Sequence, residues 1–319
     1  MSSWVLVQIL ILVAALGLDL CLGEPPSIAH PVVWMGKVVT VFERRLYQGG
    51  DSAQRLKGGV VAAILIIAVT VPAALFEWLG YRAAGANLLL MLAYVGLSAY
   101  LLKASFTIFT LQKEALKVAN LAYTDLDSAR VQVRALVSRD RSHLDRERIL
   151  SGVCESVGEN TVDSVVAPLL FFALFGIAGA LCYRAVNTLD SMLGYKDHRK
   201  HAGLCSARLD DVFNYVPTRL AIVPMLLGFH VVSGKAACSK AWNTLKAERH
   251  KKAAVNSGIP VALFAGGLGV TLTKPSSYEI GDGGPITGAT INRALGVMLI
   301  ASTFTILLSV LMLFGQALT

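Results

Sequence analysis

The sequence predicts an all-α fold: a polytopic integral membrane protein with four full crossings, re-entrant or broken helices between them, and a cytoplasmic helical hairpin. Three observations predict it. Of the 319 residues, 55% are hydrophobic and 16% charged, whereas soluble domains are nearer ~45–50% apolar. Apolar windows of bilayer-spanning length, about 20 residues, lie at 4–22, 58–79, 85–102 and 290–314, with shorter or interrupted ones at 165–182, 212–233 and 258–272. Finally, Lys and Arg gather in the connections, as the excess of basic residues in cytoplasmic loops requires. The whole chain, 1–319, reads as one membrane domain with 103–150 as a cytoplasmic helical insertion.

The first window lacks a basic leader and a small-residue cleavage pattern, and "GLDLCLGEPP" runs straight into a turn, so it reads as a retained helix. Windows 58–79 and 85–102 form an out-and-back pair through "GYRAAGAN". That pairing leaves the basic cluster of Lys37, Arg44, Arg45, Arg55 and Lys57 on the same side as the basic stretch 103–148. In "LQKEALKVANLAYTDLDSARVQVRALVSRDRSHLDRERIL" apolar residues recur every three to four positions among charges, which predicts a helical hairpin. Its turns fall near "YTDLD" and "SRDRSHLD", and Asp145 is a candidate N-cap.

Windows 165–182 and 212–233 each join two basic loops, so a single crossing there breaks the positive-inside pattern. From Pro168 to Cys182 a helix is roughly 22 Å long, short of the ~30 Å hydrocarbon core. Pro168, Gly176, Gly179, Pro217 and Pro224 weaken these helices. Irregular backbone at membrane depth is tolerated only inside protein or beside a wet cavity. Residues 155–233 are therefore expected to form re-entrant or broken helices around a cavity open to the cytoplasm, with the chain folding back near Gly176–Gly179.

The five cysteines include no CxxC pair and give little support to a disulfide or zinc framework. The formal charge of +8 reads mainly as topology and partly as affinity for an anionic ligand. "GGLGV" at 266–270 is not a phosphate loop, since no Gly-Lys-Ser/Thr follows; it predicts close helix packing. No aromatic and basic stripe points to nucleic acid.

Polar clusters interrupt the apolar chain. Glu155, Glu159 and Asp163 recur every fourth residue and would stripe one helix face beside Asn160. Such a stripe suits Mg²⁺ or an amine, or it is a solvated face paired with Arg146 or Arg148. Asn187, Asp190 and Ser191 share a face after the apolar run, with Arg184 one turn earlier; polar glue between helices is the plainer account. "SARLDDVFNYVPTRL" adds Arg208, Asp210, Asp211, Asn214 and Arg219. Three clusters of acids and amides with two arginines resemble a site for a magnesium-bound phosphate. His198 and His201 have helix-face spacing but sit in a basic loop, where solvent or phosphate is the commoner neighbour. His30 precedes Pro31 and either orients a ligand or fixes the turn.

Together, "DLCLGEPPSIAHPVVWMGK", "SRDRSHLDRERILSGVCESVGENTVDSVVAPL", "YRAVNTLDSMLGYK", "SARLDDVFNYVPTRL" and "NSGIPVALFAGGLGV" resemble, in order and over nearly the whole chain, the signatures of the adenosylcobinamide-phosphate synthases. These are membrane amide synthases of cobalamin biosynthesis. Glu24 stands where that family usually has Asp.

The resemblance implies an ATP-dependent ligase of the cytoplasmic (inner) membrane, and the basic loops place its site on the cytoplasmic face. It would join aminopropanol or its phosphate to a propionate of adenosylcobyric acid, in company with other proteins of the pathway. The signature positions here include His30, Glu155, Glu159, Asn160, Asp163, Asn187, Asp190, Ser191, Arg208, Asp210, Asp211, Asn214 and Asn256.

Chemistry then suggests roles. A carboxylate needs activation before an amine attacks it, and an acyl phosphate formed with ATP would supply that. Asp163, Asp190, Asp210 and Asp211 would hold Mg²⁺ against phosphate charge. Lys196, Arg208 and Arg219 would bind phosphate or carboxylate oxygens, with His30, Asn214 and Asn256 contacting substrate. Glu155 or Glu159 would accept the ammonium proton. Asn160, Asn187 and Ser191 would orient the reacting groups or their oxyanion. Two other classes fit part of the pattern: a Mg²⁺-dependent membrane prenyltransferase, which leaves the large basic loop unexplained, and a transporter built on broken helices.

Overall fold

The structure is a computed structural model that describes residues 3–84, 87–136, 144–194, 200–274 and 277–316. The regular elements of the described residues are helices, apart from one antiparallel pair of three-residue strands and an isolated Val270–Gly284 bridge. In chain order the helices are α1 (Ser3–Cys21), α2 (Pro31–Leu46), α3 (Asp51–Ala84), α4 (Leu88–Lys103), α5 (Phe109–Thr124), α6 (Leu126–Gln132), α7 (Arg146–Thr161), α8 (Ala167–Leu193), α9 (Leu204–Phe213), α10 (Tyr215–Glu248), α11 (Gly258–Leu268) and α12 (Gly288–Gln316). Strands β1 (Leu272–Lys274) and β2 (Tyr278–Ile280) lie between α11 and α12. Among the described residues, five helical stretches are long and apolar enough to cross a membrane: Trp4–Cys21, Asp51–Arg82, Arg146–Leu193, Tyr215–Lys251 and Gly288–Gln316. The chain is a multi-pass membrane protein.

Local chemistry sets the helix starts. His30 caps α2 by accepting from the Val32 N–H through Nδ1, and Pro31 follows at the first helical position. Asn87 caps α4 through the Leu89 N–H. Asp125 ends α5 and caps α6, so the expected turn at "YTDLD" is present, and Asp145 caps α7 through the Arg148 N–H. The second expected turn, "SRDRSHLD", lies almost wholly outside the described residues.

The chain divides into two compact units. The first comprises Met1–Thr107, Ala167–Asn214 and Ile306–Thr319; the second comprises Ile108–Val166 and Tyr215–Thr305. In the first, α1 packs on α4, and α8 packs on α2, α3 and α9. In the second, α11 is the centre: all eleven of its residues are buried, and it packs against α7 and α10. Phe264 of α11 meets Phe229 edge-on at 5.4 Å. Gly158 of α7 lets that ring close, since a Cβ there would stand 3.1 Å from it. The "GGLGV" glycines work the same way: a Cβ on Gly266 would strike Thr244, and one on Gly267 would strike Phe229.

Two of the long helical stretches reverse direction. In α8 the backbone leaves helical geometry at Phe175 and at Gly176, which has φ 65° and ψ −157°. Phe171 and Tyr183 would stand roughly 18 Å apart on a straight helix. Their rings are 5.2 Å apart instead, and the Phe171 carbonyl lies against Gly179. The chain therefore folds back where expected.

In α10 the break is at Gly234, φ 85° and ψ 176°. Arg219 and Asn256, roughly 55 Å apart on a continuous helix, share a hydrogen bond of 2.9 Å. The sequence placed the weakness in this segment at Pro217 and Pro224, and the structure corrects that. Pro217 sits in the first turn of α10, where its missing N–H has no helical partner to lose. Pro224 is accommodated within the helix. Only glycine enters the backbone region found at Gly234 without strain.

Candidate functional site

The candidate residues form two groups, one in each unit. In the second unit α7 carries the acid stripe. It is neither a solvated face nor paired with Arg146 or Arg148: Glu155 is buried, and Arg146 instead donates to the Ala122 carbonyl at 2.9 Å. The Tyr278 hydroxyl, delivered by β2, donates to Glu155. Lys252 comes from the loop after α10; its ammonium donates to Glu159 and stands 3.6 Å from Glu155. The stripe thus has the cation that its own repulsion demands, supplied about ninety residues further along the chain.

Asn160 uses its amide locally, donating to the Ser156 carbonyl at 2.9 Å and accepting from Ser164 Oγ at 2.8 Å. Directly after it the backbone widens into a π turn over Val162–Val166, which contains Asp163. Such turns often mark functional positions.

The reversal of α10 brings its two ends to one cavity of about 470 Å³, lined by Tyr215, Arg219, Arg249, His250 and Lys252 among others. Arg219 lies over the Tyr215 ring at 3.4 Å and donates from Nη1 to the Tyr215 carbonyl (2.8 Å) and to Asn256 Oδ1 (2.9 Å). Asn256 is buried and acts here as the orienter of Arg219.

In the first unit α8 and α9 build an amide-and-acid group. The Tyr183 hydroxyl donates to Asn214 Oδ1 at 2.9 Å, and Asn214 Nδ2 donates to Asp210 Oδ2 at 3.1 Å. Asn187 also hydrogen-bonds Asp210 and accepts from Arg184 Nη1 at 3.2 Å. Asp190 and Asp211 are close enough to act on one another and on Asp210 through their charge. Burial pushes the Asp210 carboxyl up to about 6; the Asn214 and Asn187 hydrogen bonds oppose that rise, and the Asp211 charge adds to it. Ser191 is exposed and donates to the Thr188 carbonyl, and Arg208 is exposed on α9. Lys196 and His198 lie outside the described residues, and His201 pairs with Asp51 at 3.2 Å.

Among the described residues no group of three His, Cys, Asp or Glu side chains is placed to hold a metal by itself. The donor chemistry of α8 and α9 nevertheless fits a hard cation whose shell is completed by phosphate. Asp210 Oδ1 is buried without a hydrogen-bond partner among the described residues, and two further carboxylates stand near it.

The first unit holds a further constellation. Lys103, 1% exposed, is held between Asp19 (3.2 Å) and Glu24 (2.9 Å). His30, its Nδ1 occupied as the α2 cap, offers Nε2 to Glu24 at 3.0 Å. The sequence reading singled out His30 but neither Lys103 nor Asp19. It also missed Lys252, Arg249, His250 and Tyr278. The first three sit in a basic loop that topology alone accounts for, and nothing local marks Tyr278.

Comparison with known proteins gives consistent matches. A family model described as CobD/Cbib protein matches residues 12–306. The chain is 37% identical over 305 residues to the cobalamin biosynthesis protein CobD of Dehalococcoides mccartyi, covering 95% of this chain and 96% of that one. It is 39% identical over 290 residues to a probable cobalamin biosynthesis protein CobD of Pyrococcus abyssi, covering 91% of each. A CobD of Geobacter metallireducens is 39% identical over 289 residues, 89% of this chain and 86% of the other. No solved structure matches.

Proposed function

The chain belongs to the CobD/CbiB family, and from that premise we propose that it is the ATP-dependent acid–amine ligase that joins aminopropanol, or its phosphate, to a propionate of adenosylcobyric acid. The match over residues 12–306 carries this reading, and the two polar groups supply the kinds of side chain that such a reaction needs.

In the second unit, Glu155 and Glu159 would accept the proton that an ammonium must lose before it attacks; Lys252 and Tyr278 hold them in place until then. Arg219, locked by Tyr215 and Asn256, would bind phosphate or carboxylate oxygens. In the first unit, Asn187 and Asn214 keep Asp210 oriented, and Asp190, Asp210 and Asp211 would hold Mg²⁺. Bound there, the ion would offset negative charge on phosphate oxygens. The site is expected to face the cytoplasm, because the basic loops collect on that side.

The test is direct. Purified protein in detergent is incubated with adenosylcobyric acid, ATP and aminopropanol or aminopropanol phosphate, with and without Mg²⁺, and the corrinoid is weighed by mass spectrometry. The expected result is the mass of the amide, dependent on ATP, the amine and Mg²⁺. An unchanged corrinoid in every mixture, with the protein monodisperse, would refute the reading; vesicle uptake of unmodified corrinoid would then favour transport.

A further inference from the structure

The cavity of the second unit has a chemistry of its own. Arg219 and Arg249 lie equally far in sequence from Gly234, fifteen residues before and after it, so the reversal of α10 delivers both to one wall. His250 and Lys252 complete the polar lining, Tyr215, Val255 and Ile259 contribute apolar surface, and no Asp or Glu lines the cavity among the described residues. A volume of about 470 Å³ lies within the range of small-ligand pockets.

Arg219 is preset for an oxyanion. Both of its hydrogen bonds among the described residues leave from Nη1, and its plane is fixed over Tyr215. The Nε–Nη2 edge has no partner among the described residues, and that edge is the fork that takes two oxygens of one phosphate. Arg249 and His250 are exposed and likewise without hydrogen-bond partners there. Lys252 differs, because Glu159 and Glu155 already balance it. The wall therefore offers two uncompensated charges, Arg219 and Arg249, with a titratable imidazole beside them. That matches a phosphate monoester or the end of a polyphosphate, each about a dianion, better than the single charge of a lipid phosphodiester.

We infer that this cavity is a phosphate-binding site for a phosphomonoester or polyphosphate, with Arg219 as the oriented fork and Arg249 as the second cation. The inference deepens the proposed ligase and rests on it for the two candidate sources, ATP and the aminoalkyl phosphate.

Binding is measured by calorimetry on the full chain in detergent, with ATP, aminopropanol phosphate, inorganic phosphate and unphosphorylated aminopropanol as separate probes. Arg249→Ala, at an exposed position, is expected to weaken whichever phosphorylated probe the wild type binds by about tenfold to a hundredfold. Arg219→Lys keeps the charge but loses the fork, and is expected to weaken the same probe. Unphosphorylated aminopropanol should show no change in either variant. The probe that responds identifies the source. Wild-type affinity for every phosphorylated probe in both variants, each confirmed monodisperse, overturns the site; so does binding confined to phosphatidylglycerol vesicles. The readout needs no turnover, so a chain that binds phosphate through these arginines yet makes no amide keeps the site and loses the reaction.

Discussion

The two units use the same two devices to different ends. Each contains a helical segment reversed at a glycine, and each sets a lysine between two carboxylates. In the first unit both devices are sealed. Gly176 turns against Glu77, whose carboxylate accepts from the Ile177 and Ala178 N–H groups at 3.3 and 3.4 Å and from Gln8 at 3.1 Å. Lys103 is wholly buried between Asp19 and Glu24. In the second unit both are open. Gly234 has no atom within 4 Å of where a Cβ would stand, and Lys252 lies on the wall of a cavity. A braced reversal holds its helix ends rigidly, whereas one left bare at its turn and lined with cations at its ends opens a cavity.

The largest expected difference is between the lysines. Lys103→Met leaves the fully buried Asp19 without its cation and takes the same partner from the partly exposed Glu24; breaking a buried pair costs about 3–5 kcal/mol. Thermal unfolding in detergent should show it, or the variant should fail to accumulate as monodisperse protein. Lys252→Met should cost about 1–2 kcal/mol, because Lys252 stands on the wall of a cavity and Glu155 keeps its hydrogen bond from Tyr278, while abolishing most amide formation. Equal destabilisation by both substitutions would make Lys252 a clamp as well, and the contrast between the units would collapse.

What the sequence revealed follows the same divide. Signals written within a few residues were legible: the turn at "YTDLD", Asp145 as a cap, the fold-back near Gly176–Gly179, and the tight packing of Gly266 and Gly267. Pairings between distant residues were not. Lys252 belongs to Glu159 ninety-three residues earlier, and Lys103 to Glu24 seventy-nine residues earlier. Neither lysine differs locally from the topological positive charge around it. Gly234 was overlooked for a related reason: prolines announce weak helices, but these prolines occupy positions a helix tolerates, and the turn falls one residue past the apolar window. Arg219 stood out only because a charge inside an apolar stretch is costly; its orienter Asn256 came from the family resemblance.

The glycines give the next comparison. Each has a positive φ with ψ near 180°, a region that costs other residues about 1–3 kcal/mol. Gly234→Ala should show that strain alone, read as a modest fall in thermal midpoint with phosphate binding retained. Gly176→Ala adds a Cβ that falls on the Glu77 carboxylate and displaces it from the two N–H groups it caps. It should therefore destabilise the protein by clearly more than Gly234→Ala. Indistinguishable midpoints would show that Glu77 does not brace the turn.

The smallest expected effect concerns pH and separates the sealed lysine from the open one. Burial raises the Glu24 carboxyl, but the His30 hydrogen bond, the charge and hydrogen bond of Lys103 and a hydrogen bond from Thr107 outweigh it and leave Glu24 at about 2, against an ordinary 4.5. A carboxyl held below its unfolded value stabilises the fold fully above 4.5, and that contribution is lost as pH falls from 4.5 through about 2. Glu24→Gln has no such carboxyl to protonate. The stability difference between wild type and Glu24→Gln should therefore be constant at pH 5–7 and shrink progressively below pH 4.5. Thermal midpoints of the two proteins in one detergent from pH 6 to pH 3 measure it. Parallel curves over that range would mean that Lys103 draws its hold from Asp19 alone, and Glu24 would then be a bystander to the clamp.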